Sequence, residues 1–589
     1  MKYLLTGMIA LTLLTACGQK DNPAGGGTRA SVVYSVSDLP DVKVRKGDAA
    51  TAGAALEALS LSRSGAGRLT FAGSEVKGDK AVFTDVTLSM PEGALEAPAP
   101  SGLSEEELQG IFAYMDEDGD GIADDGSEMT LEDLRAEMNS VYGASSGPMV
   151  PPVIKAAKLE FDGLGMLEGK ANFGLMKLSD ITIMPGEGSE DRNTGKIRSV
   201  ELVNPSPETA AWVASLFGQG GAASFPEGQA LSFDRWAVSG VDFRLDDASG
   251  KGAFTLDSMF ISDLKEEKAG LVGLSKLNFD FSEAAGSDTK LSLEGFGLRG
   301  INYGLFSQAL EAGTGMSAGA SALTAAIEAD PANPGYDVLS LKALKADIIG
   351  VSLDMPSLDS AVSRDDQGRA TKVVTKPFTV TVAPRDNPDG EAFAGLLASV
   401  GFEKLSFSGQ GESLYDPDTD IVTLPKGKNF WQLDQGFKLD FSARYEGTKA
   451  IAKMAAQSDA LAAEPDAMLG SLMQSLAIHQ LEIAYADAGF FNKALNAYAT
   501  QAGEDPEAVR KSLLLPLTML PIFAPQAGID AAVATEFATA LSGFIQDPKK
   551  LTLTLAPKTP LKAQAFMEAG TDPAKKLTKE SLGFSASNK

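Results

Sequence analysis

The chain has 589 residues, of which 44% are hydrophobic and 22% charged, with 79 acidic residues against 51 basic ones. This composition excludes wholesale disorder and allows several domains or one large β-rich fold. The formal net charge of −28 repels nucleic acid and bare anionic headgroups, so no nucleic-acid partner is expected. The single cysteine excludes a disulfide within the chain, and the single histidine excludes a three-histidine zinc site.

The amino terminus predicts a cleavable export signal. After a basic start, residues 3–15 form an apolar run that is too short to span a bilayer. The run ends in Leu14-Thr15-Ala16-Cys17, which resembles the lipobox of bacterial lipoproteins. That resemblance implies cleavage before Cys17 and acylation of this cysteine, with about 0.8 kcal/mol of membrane attachment for each buried methylene. The alternative is an ordinary secretory signal followed by an incidental cysteine.

The residues around the cysteine bear on the location of the mature protein. Residues 1–16 are expected to be the signal peptide, and residues 17–31 a lipidated tether, because this stretch is polar and glycine-rich. Gly18 stands where an aspartate would resemble an inner-membrane retention signal, which favours the outer membrane, facing the periplasm. The expected partners are membrane lipid, through the acyl anchor, and an envelope protein or lipid. Residues 32–95 follow as an N-terminal β segment.

An amphipathic helix leads into an acidic loop. A capping box of Ser104 and Glu107 opens the helix, and apolar residues at helical spacing follow up to Met115. The loop begins Asp116-Glu117-Asp118-Gly119-Asp120-Gly121. Carboxylates at alternate positions can converge on one hard cation, and glycine at the sixth position allows the sharp turn between them. These oxygen ligands indicate Ca²⁺.

The helix and the D-x-D-G-D-G loop resemble an EF-hand. The resemblance implies that Asp116, Asp118 and Asp120 are side-chain ligands and that Ile122 offers its backbone carbonyl. The sequence departs from the family at loop position twelve, where Ser127 replaces the usual glutamate. A weakened site with a Kd of about 10⁻⁴ to 10⁻³ M is therefore expected.

Two arrangements would close the calcium loop. Asp124 would close it directly or through water, as in the calcium repeats of thrombospondin-type modules, which the loop also resembles. Glu128, or less favourably Asp133, would close a lengthened loop. The alternative to a metal site is a solvated acidic turn between two helices. Proline-rich stretches bracket this region, so residues 96–152 are predicted to be an insertion.

Residues 153–446 are predicted to be a β-rich repeat region. Phe83-Thr84-Asp85-Val86-Thr87-Leu88 is echoed by Leu178-Ser179-Asp180-Ile181-Thr182-Ile183, and related segments begin at Val238, Leu298 and Ile348. Apolar and polar residues alternate in each copy, as in strands with one buried face. Irregular duplication of strand units explains the pattern, with glycine or aspartate marking bulges or turns.

Helices are predicted within and after the strands. The predicted spans are 207–217, 306–329, 391–400, 448–463, 489–502, 505–515 and 530–545. Residues 447–549 are accordingly expected as a helical region, and residues 550–589 as a terminal strand, 550–555, with a polar tail. The predicted fold is α+β: a long twisted antiparallel sheet with an inserted EF-hand-like helix-loop-helix and a C-terminal helical layer.

The predicted sheet resembles those of envelope proteins of the AsmA type, whose grooves are thought to carry lipids. A sheet covered by its own helices is the alternative to such an open groove. The helix start at Asp487-Ala488-Gly489 and the segment 551–560 also resemble those of uncharacterised alphaproteobacterial envelope proteins. The second of these resemblances brings no activity with it.

The sequence favours a non-catalytic role. No G-x-S-x-G elbow, P-loop or dinucleotide fingerprint lies in a setting that supports catalysis. His479 is interpreted as part of a half-buried structural segment, and the run of residues 416–420 as a hairpin turn. The first functional hypothesis is a calcium-binding, membrane-anchored envelope lipoprotein with a structural or interaction role. The second is an envelope amphiphile carrier that uses the apolar face of the sheet, and an unrecognised enzyme is a more distant third.

Overall fold

The computed structural model describes residues 32–88, 152–186, 192–218, 230–247, 250–266, 268–283, 288–302, 330–451 and 473–589. Across these residues the protein is α+β, with one large antiparallel sheet and several helices. The predicted insertion at 96–152 lies, except for its last residue, outside the described residues, as do the signal peptide and the tether.

The strands are given in three groups. The first are β1 (Leu69–Thr70), β2 (Gly73–Lys77), β3 (Lys80–Leu88), β4 (Val153–Asp162), β5 (Gly165–Leu167), β6 (Lys170–Asn172), β7 (Leu175–Met184) and β8 (Thr194–Val203). The central strands are β9 (Phe233–Asp247), β10 (Gly250–Lys265), β11 (Lys268–Glu283), β12 (Asp288–Asn302), β13 (Val338–Ile348), β14 (Val351–Arg364), β15 (Ala370–Pro384) and β16 (Leu405–Asp416). The last strands are β17 (Ile421–Leu424), β18 (Phe430–Leu433), β19 (Phe437–Glu446), β20 (Ala477–Asp487), β21 (Lys550–Leu555), β22 (Leu561–Lys562) and β23 (Ser585–Ser587).

The order of the strands in the sheet follows the chain. β1 and β2 both pair with β3, which continues through β4, β7 and β8. Each strand from β8 to β16 then pairs with the next. β16 pairs with β17 and β18, both of which pair with β19, and the sheet ends with β20, β21 and β23. β5 and β6 form a separate hairpin. From β7 to β16 this up-and-down arrangement pairs strands that are consecutive in the chain, whereas β20 pairs with strands that are distant in sequence.

Of the eight α-helices in the described residues, five begin after a residue whose side chain accepts a backbone hydrogen bond. Their bounds are α1 (Ala52–Ala58), α2 (Pro207–Phe217), α3 (Pro388–Ser399), α4 (Phe490–Ala502), α5 (Pro506–Phe523), α6 (Ala531–Gln546), α7 (Gln564–Thr571) and α8 (Lys579–Leu582). Ser206 accepts a hydrogen bond from the backbone of Thr209 at the start of α2, and Asp505 accepts bonds from two backbone N–H groups at the start of α5. Both helices carry proline at the first position, where no hydrogen bond is lost.

The largest core begins where helices meet the first strands and continues along the sheet to Leu358 of β14 and Phe378 of β15. Leu59 of the α1 region and Val213 of α2 pack with Phe83, Leu159 and residues of the β5–β6 hairpin region. These side chains are almost completely buried. The core therefore fixes the β3–β4 end of the sheet, while the sheet itself extends well beyond these helices.

Several predicted elements are confirmed by the structure. The helix at 207–217 and the strand at 550–555 have the predicted bounds. The helices predicted at 489–502 and 530–545 agree with α4 and α6 to within one residue. The predicted helix at 306–329 lies outside the described residues, as does most of the one at 448–463.

Other elements differ from the prediction. The helix predicted to end at residue 515 runs through two prolines to Phe523, because Leu517 and its neighbours pack on α6 and this packing stabilises a helix that lacks two backbone donors. The region expected to be helical, 447–549, also contains β20, which is paired on both sides. The expected polar tail contains β22, β23, α7 and α8. Among the described residues, no helix is both long and apolar enough to cross a bilayer.

Every second strand of the sheet from β3 to β13 contains a residue with a left-handed backbone conformation. These residues have φ angles between 49° and 64° and lie in β3, β7, β9, β11 and β13: Asp85, Asp180, Gly240, Lys276 and Ala343. The neighbouring strands contribute equal numbers of residues at these points, as shown by the pairs Lys158 with Ser179 and Ala156 with Ile181. The prediction that glycine or aspartate marks bulges or turns is therefore wrong at Asp180 and Gly240, because both residues lie inside a strand and a bulge would place two residues against one.

These residues, which we call kink residues, reverse the alternation of side chains. In β3, Phe83 and Val86 are both buried, whereas Thr84 and Asp85 between them are exposed. In a regular strand, residues three positions apart point to opposite faces. A kink residue therefore returns the apolar side chains on both its sides to the same face.

Substitution by glycine should stabilise the protein at a kink residue and destabilise it at a regular strand position. Lys276→Gly is expected to raise the free energy of unfolding by about 1 kcal/mol, because a left-handed conformation strains every residue with a Cβ. Gly240→Ala should lower it by about the same amount. Urea denaturation of the two variants measures both changes. Ser292→Gly, at a regular position of β12, is the control and should destabilise, and a destabilising Lys276→Gly would contradict the assignment.

Candidate ligand-binding face

Two rows of apolar side chains cross the sheet from β3 to β14. In the first row each residue is directly paired with the next: Phe83, Leu159, Leu178, Val200, Val238, Met259, Leu274, Phe296, Leu341 and Leu358. The second row lies three residues away on each strand: Val86, Ala156, Ile181, Ile197, Val241, Leu256, Leu277, Leu293, Leu344 and Met355. Directly paired residues share a face of the sheet. We call the surface formed by the two rows the apolar face.

Packing shows that the two rows lie on the same face. Val238 and Val241, which flank the kink at Gly240, belong to one cluster that also includes Leu274 and Leu277. In β13, Leu341 and Leu344 likewise pack against one common core. Regular alternation would place the two members of each pair on opposite faces. The kink residues therefore build the apolar face.

The apolar face is longer than a lipid acyl chain. From β3 to β14 it includes nine inter-strand steps of about 4.8 Å, or about 43 Å in all. The hydrocarbon core of a bilayer is about 30 Å thick, so the acyl chains of one leaflet fill about 15 Å. The face has room along its length for more than one acyl chain.

The degree of burial changes along the apolar face. Phe83 and Leu159 are 1% and 0% exposed, because α1, α2 and the β5–β6 hairpin pack on this end. In the central strands most of the side chains are only half-buried: Ile197, Val200, Met259, Leu274, Leu277, Leu293, Phe296, Leu341 and Leu344. The centre of the face thus keeps hydrocarbon surface in contact with solvent.

The opposite face of the sheet carries residues 32–36, the first part of the N-terminal segment 32–48. The hydroxyl of Tyr34 lies 2.7 Å from that of Ser340, and the backbone N–H of Val36 donates to the hydroxyl of Ser258 at 3.2 Å. A Cβ at Gly295 or Gly297 would overlap Tyr34 or Val32, respectively. The segment therefore lies on a track of serines and glycines and leaves the apolar face free.

Arg45 fixes the end of the N-terminal segment. Its guanidinium donates to the carbonyl oxygens of Phe173 at 3.0 Å and Pro205 at 3.1 Å, and to the side-chain oxygen of Asn172. Burial lowers the pKa of this guanidinium from its ordinary value. Charge-assisted bonds to three acceptors hold the segment to the loops beside α2.

A charged network closes the ends of β13, β14 and β15. Arg364 donates to Asp337 at 2.7 Å and lies 3.4 Å from Asp330, which also accepts a bond from the backbone of Ala370. Burial raises the pKa of Asp330, and these bonds oppose the increase. Each of these charges has a partner within the network, so we interpret it as a structural brace.

The predicted calcium ligands Asp116, Asp118, Asp120, Ile122, Asp124 and Glu128 lie outside the described residues, as does Cys17. Within the ranges that the structure describes, no group of three or more histidine, cysteine or acidic side chains is arranged to hold a metal ion. His479 lies in β20 and its Nε2 is 3.4 Å from a carboxylate oxygen of Glu446. The run at 416–420 is the turn between β16 and β17, where Asp416 accepts backbone bonds.

The alternation of apolar and polar residues within each strand does not by itself predict the two rows. Their signal is a pair of apolar residues separated by two polar or small ones, as in Leu178-Ser179-Asp180-Ile181 and Leu274-Ser275-Lys276-Leu277. The predicted repeats contain this signal at Asp85, Asp180 and Gly240. The copy that begins at Ile348 instead forms the tight turn between β13 and β14.

Comparison with known proteins identifies little. A family model described as "Uncharacterized protein" matches residues 430–589, which include the strands from β18 onwards and the helices α4 to α8. The match covers less than half of the chain. No curated protein and no solved structure matches the sequence.

Proposed function

We propose that this protein is an envelope carrier of amphiphiles and that the apolar face holds the acyl part of its ligand. The observation that supports the proposal is the half-buried centre of the two apolar rows, with residues such as Leu274 and Phe296. A contiguous apolar surface that remains partly accessible to solvent is typical of binding surfaces. Each ligand methylene buried there would contribute about 0.8 kcal/mol.

The rest of the chain is consistent with such a role at a membrane. The lipobox at Cys17 and the tether at 17–31 would attach the protein to the periplasmic side of the outer membrane. The resemblance of the sheet to the AsmA type is in keeping with lipid binding in an open groove. We infer that the strand units arose by irregular duplication and that the role is non-catalytic.

A charged side chain introduced at the centre of the apolar face should weaken ligand binding. Native mass spectrometry after gentle extraction is expected to show lipid bound to the wild-type protein. Leu274→Glu should reduce the bound fraction by at least about tenfold, since a carboxylate beside an acyl chain is not solvated. Lys276→Glu is the matched control, because Lys276 is exposed and lies in the same strand. Retention of lipid by Leu274→Glu, or its absence from the wild type, would contradict the proposal.

The acidic loop at 116–128 supports a second role as a calcium-binding structural or interaction module. We infer that an inserted EF-hand-like helix-loop-helix binds Ca²⁺ through Asp116, Asp118, Asp120 and the carbonyl of Ile122. Asp124 or Glu128 would close the loop. The ion would rigidify the insertion and a contact with another envelope component, which is compatible with lipid binding elsewhere.

Removal of two loop carboxylates should abolish stabilisation by calcium. At a Ca²⁺ concentration of about ten times Kd, binding to the native state contributes about 1.4 kcal/mol, which appears as a higher melting temperature. Asp116→Ala with Asp120→Ala is expected to remove this increase. Asp416→Ala with Asp418→Ala, in the turn between β16 and β17, should preserve it. An unchanged calcium effect in the first double variant would show that the ligands are wrongly assigned.

A further inference from the structure

Helix α5 carries a second apolar surface, which is separate from the apolar face of the sheet. Leu515, Ile522 and Phe523 are 69%, 60% and 52% exposed, and Met519 lies between them at helical spacing. Residues 512–529 contain no charged side chain, although the chain as a whole carries a net charge of −28. We call this surface the uncharged ridge.

The other side of α5 holds the ridge in place. Leu517 packs with Ala538 and Ile545 of α6, so the ridge points away from the helical layer. Helix α7, which packs against the 3₁₀ turn following α5, adds the exposed side chains Phe566 and Met567. The exposed apolar residues are therefore carried by a packed framework and need no rearrangement to contact a partner.

We propose that the uncharged ridge inserts into the interfacial region of a lipid bilayer. The acidic surface of this chain is repelled by anionic membranes, so close approach requires a part of the surface that has no negative charge. The ridge meets this requirement, because insertion of residues 512–529 desolvates no charged side chain. Its large aliphatic and aromatic side chains are those that bury well at the boundary between headgroups and acyl chains.

Insertion would orient a protein that an acyl anchor already keeps near the membrane. A flexible tether raises the local concentration of the ridge at the bilayer, so a weak contact is sufficient. The ridge proposal does not depend on the acyl anchor or on lipid carriage, because it can be tested on a chain that lacks the acylated cysteine.

The test measures binding of the full mature chain with Cys17→Ser to phosphatidylcholine vesicles by flotation. The protein is expected to partition onto the vesicles, and Leu515→Ser with Ile522→Ser should lower the partition coefficient by at least about tenfold. Leu396→Ser is the matched control, because Leu396 is a 62% exposed helical leucine of α3, whose first turn is acidic. It should leave partitioning unchanged. Circular dichroism checks that each variant is folded.

Three outcomes would overturn the proposal. The first is a folded wild-type chain that does not float with vesicles, and the second is an equal loss of binding in the Leu396→Ser control. The third is a dimer in sedimentation velocity that the ridge variants dissociate, without vesicle binding, because the ridge would then bind a second copy of the chain. Loss of vesicle binding by a folded ridge variant that still retains lipid on the apolar face would separate the two functions.

Discussion

A regular β-strand presents every second residue to one face, and the kink residues change this rule in the middle of the sheet. Asp180, Gly240 and Lys276 adopt left-handed backbone conformations while the neighbouring strands keep equal numbers of residues. The cost is of order 1–3 kcal/mol for a strained residue with a Cβ. In return, the apolar residues on both sides of each kink lie on one face, and a single hydrophobic surface crosses the sheet from β3 to β14.

The two faces of the sheet consequently differ in chemistry and in what they carry. Serines and glycines on one face contact the first part of the N-terminal segment, which Tyr34 fixes there, and Arg45 fixes its far end to the loops at Phe173 and Pro205. The other face presents hydrocarbon, most of it half-buried in the central strands. Residue 32, the first described residue of the N-terminal segment, follows directly on the proposed tether, so an acyl anchor at Cys17 would be joined to the body on the face opposite the proposed ligand.

Local signals in the sequence predicted much of the fold. The cap formed by Ser206 and Pro207 defines the start of α2, and the alternation of apolar residues predicts strands around Asp180 and Gly240. Lys276 and Ala343 are not residue types that favour a left-handed backbone, so only the spacing of the leucines on both sides marks these two kinks in the sequence. Strand β20 likewise depends on partners distant in sequence. The periodicity of the strands predicts that the sheet has an apolar face. It does not predict that this face is continuous, because the continuity depends on the kinks.

The most direct test of this account compares adjacent positions on β11. Cys17 is the only native cysteine, so after its replacement by serine, Leu274→Cys, Lys276→Cys and Leu277→Cys can each be labelled individually. The measurement is the rate of maleimide labelling with and without an added fatty acid. If the kink places both rows on one ligand-binding face, the fatty acid should slow labelling at positions 274 and 277 and leave position 276 unchanged. Protection of only one of the two leucine positions would mean that the strand alternates regularly and that the continuous apolar face does not exist.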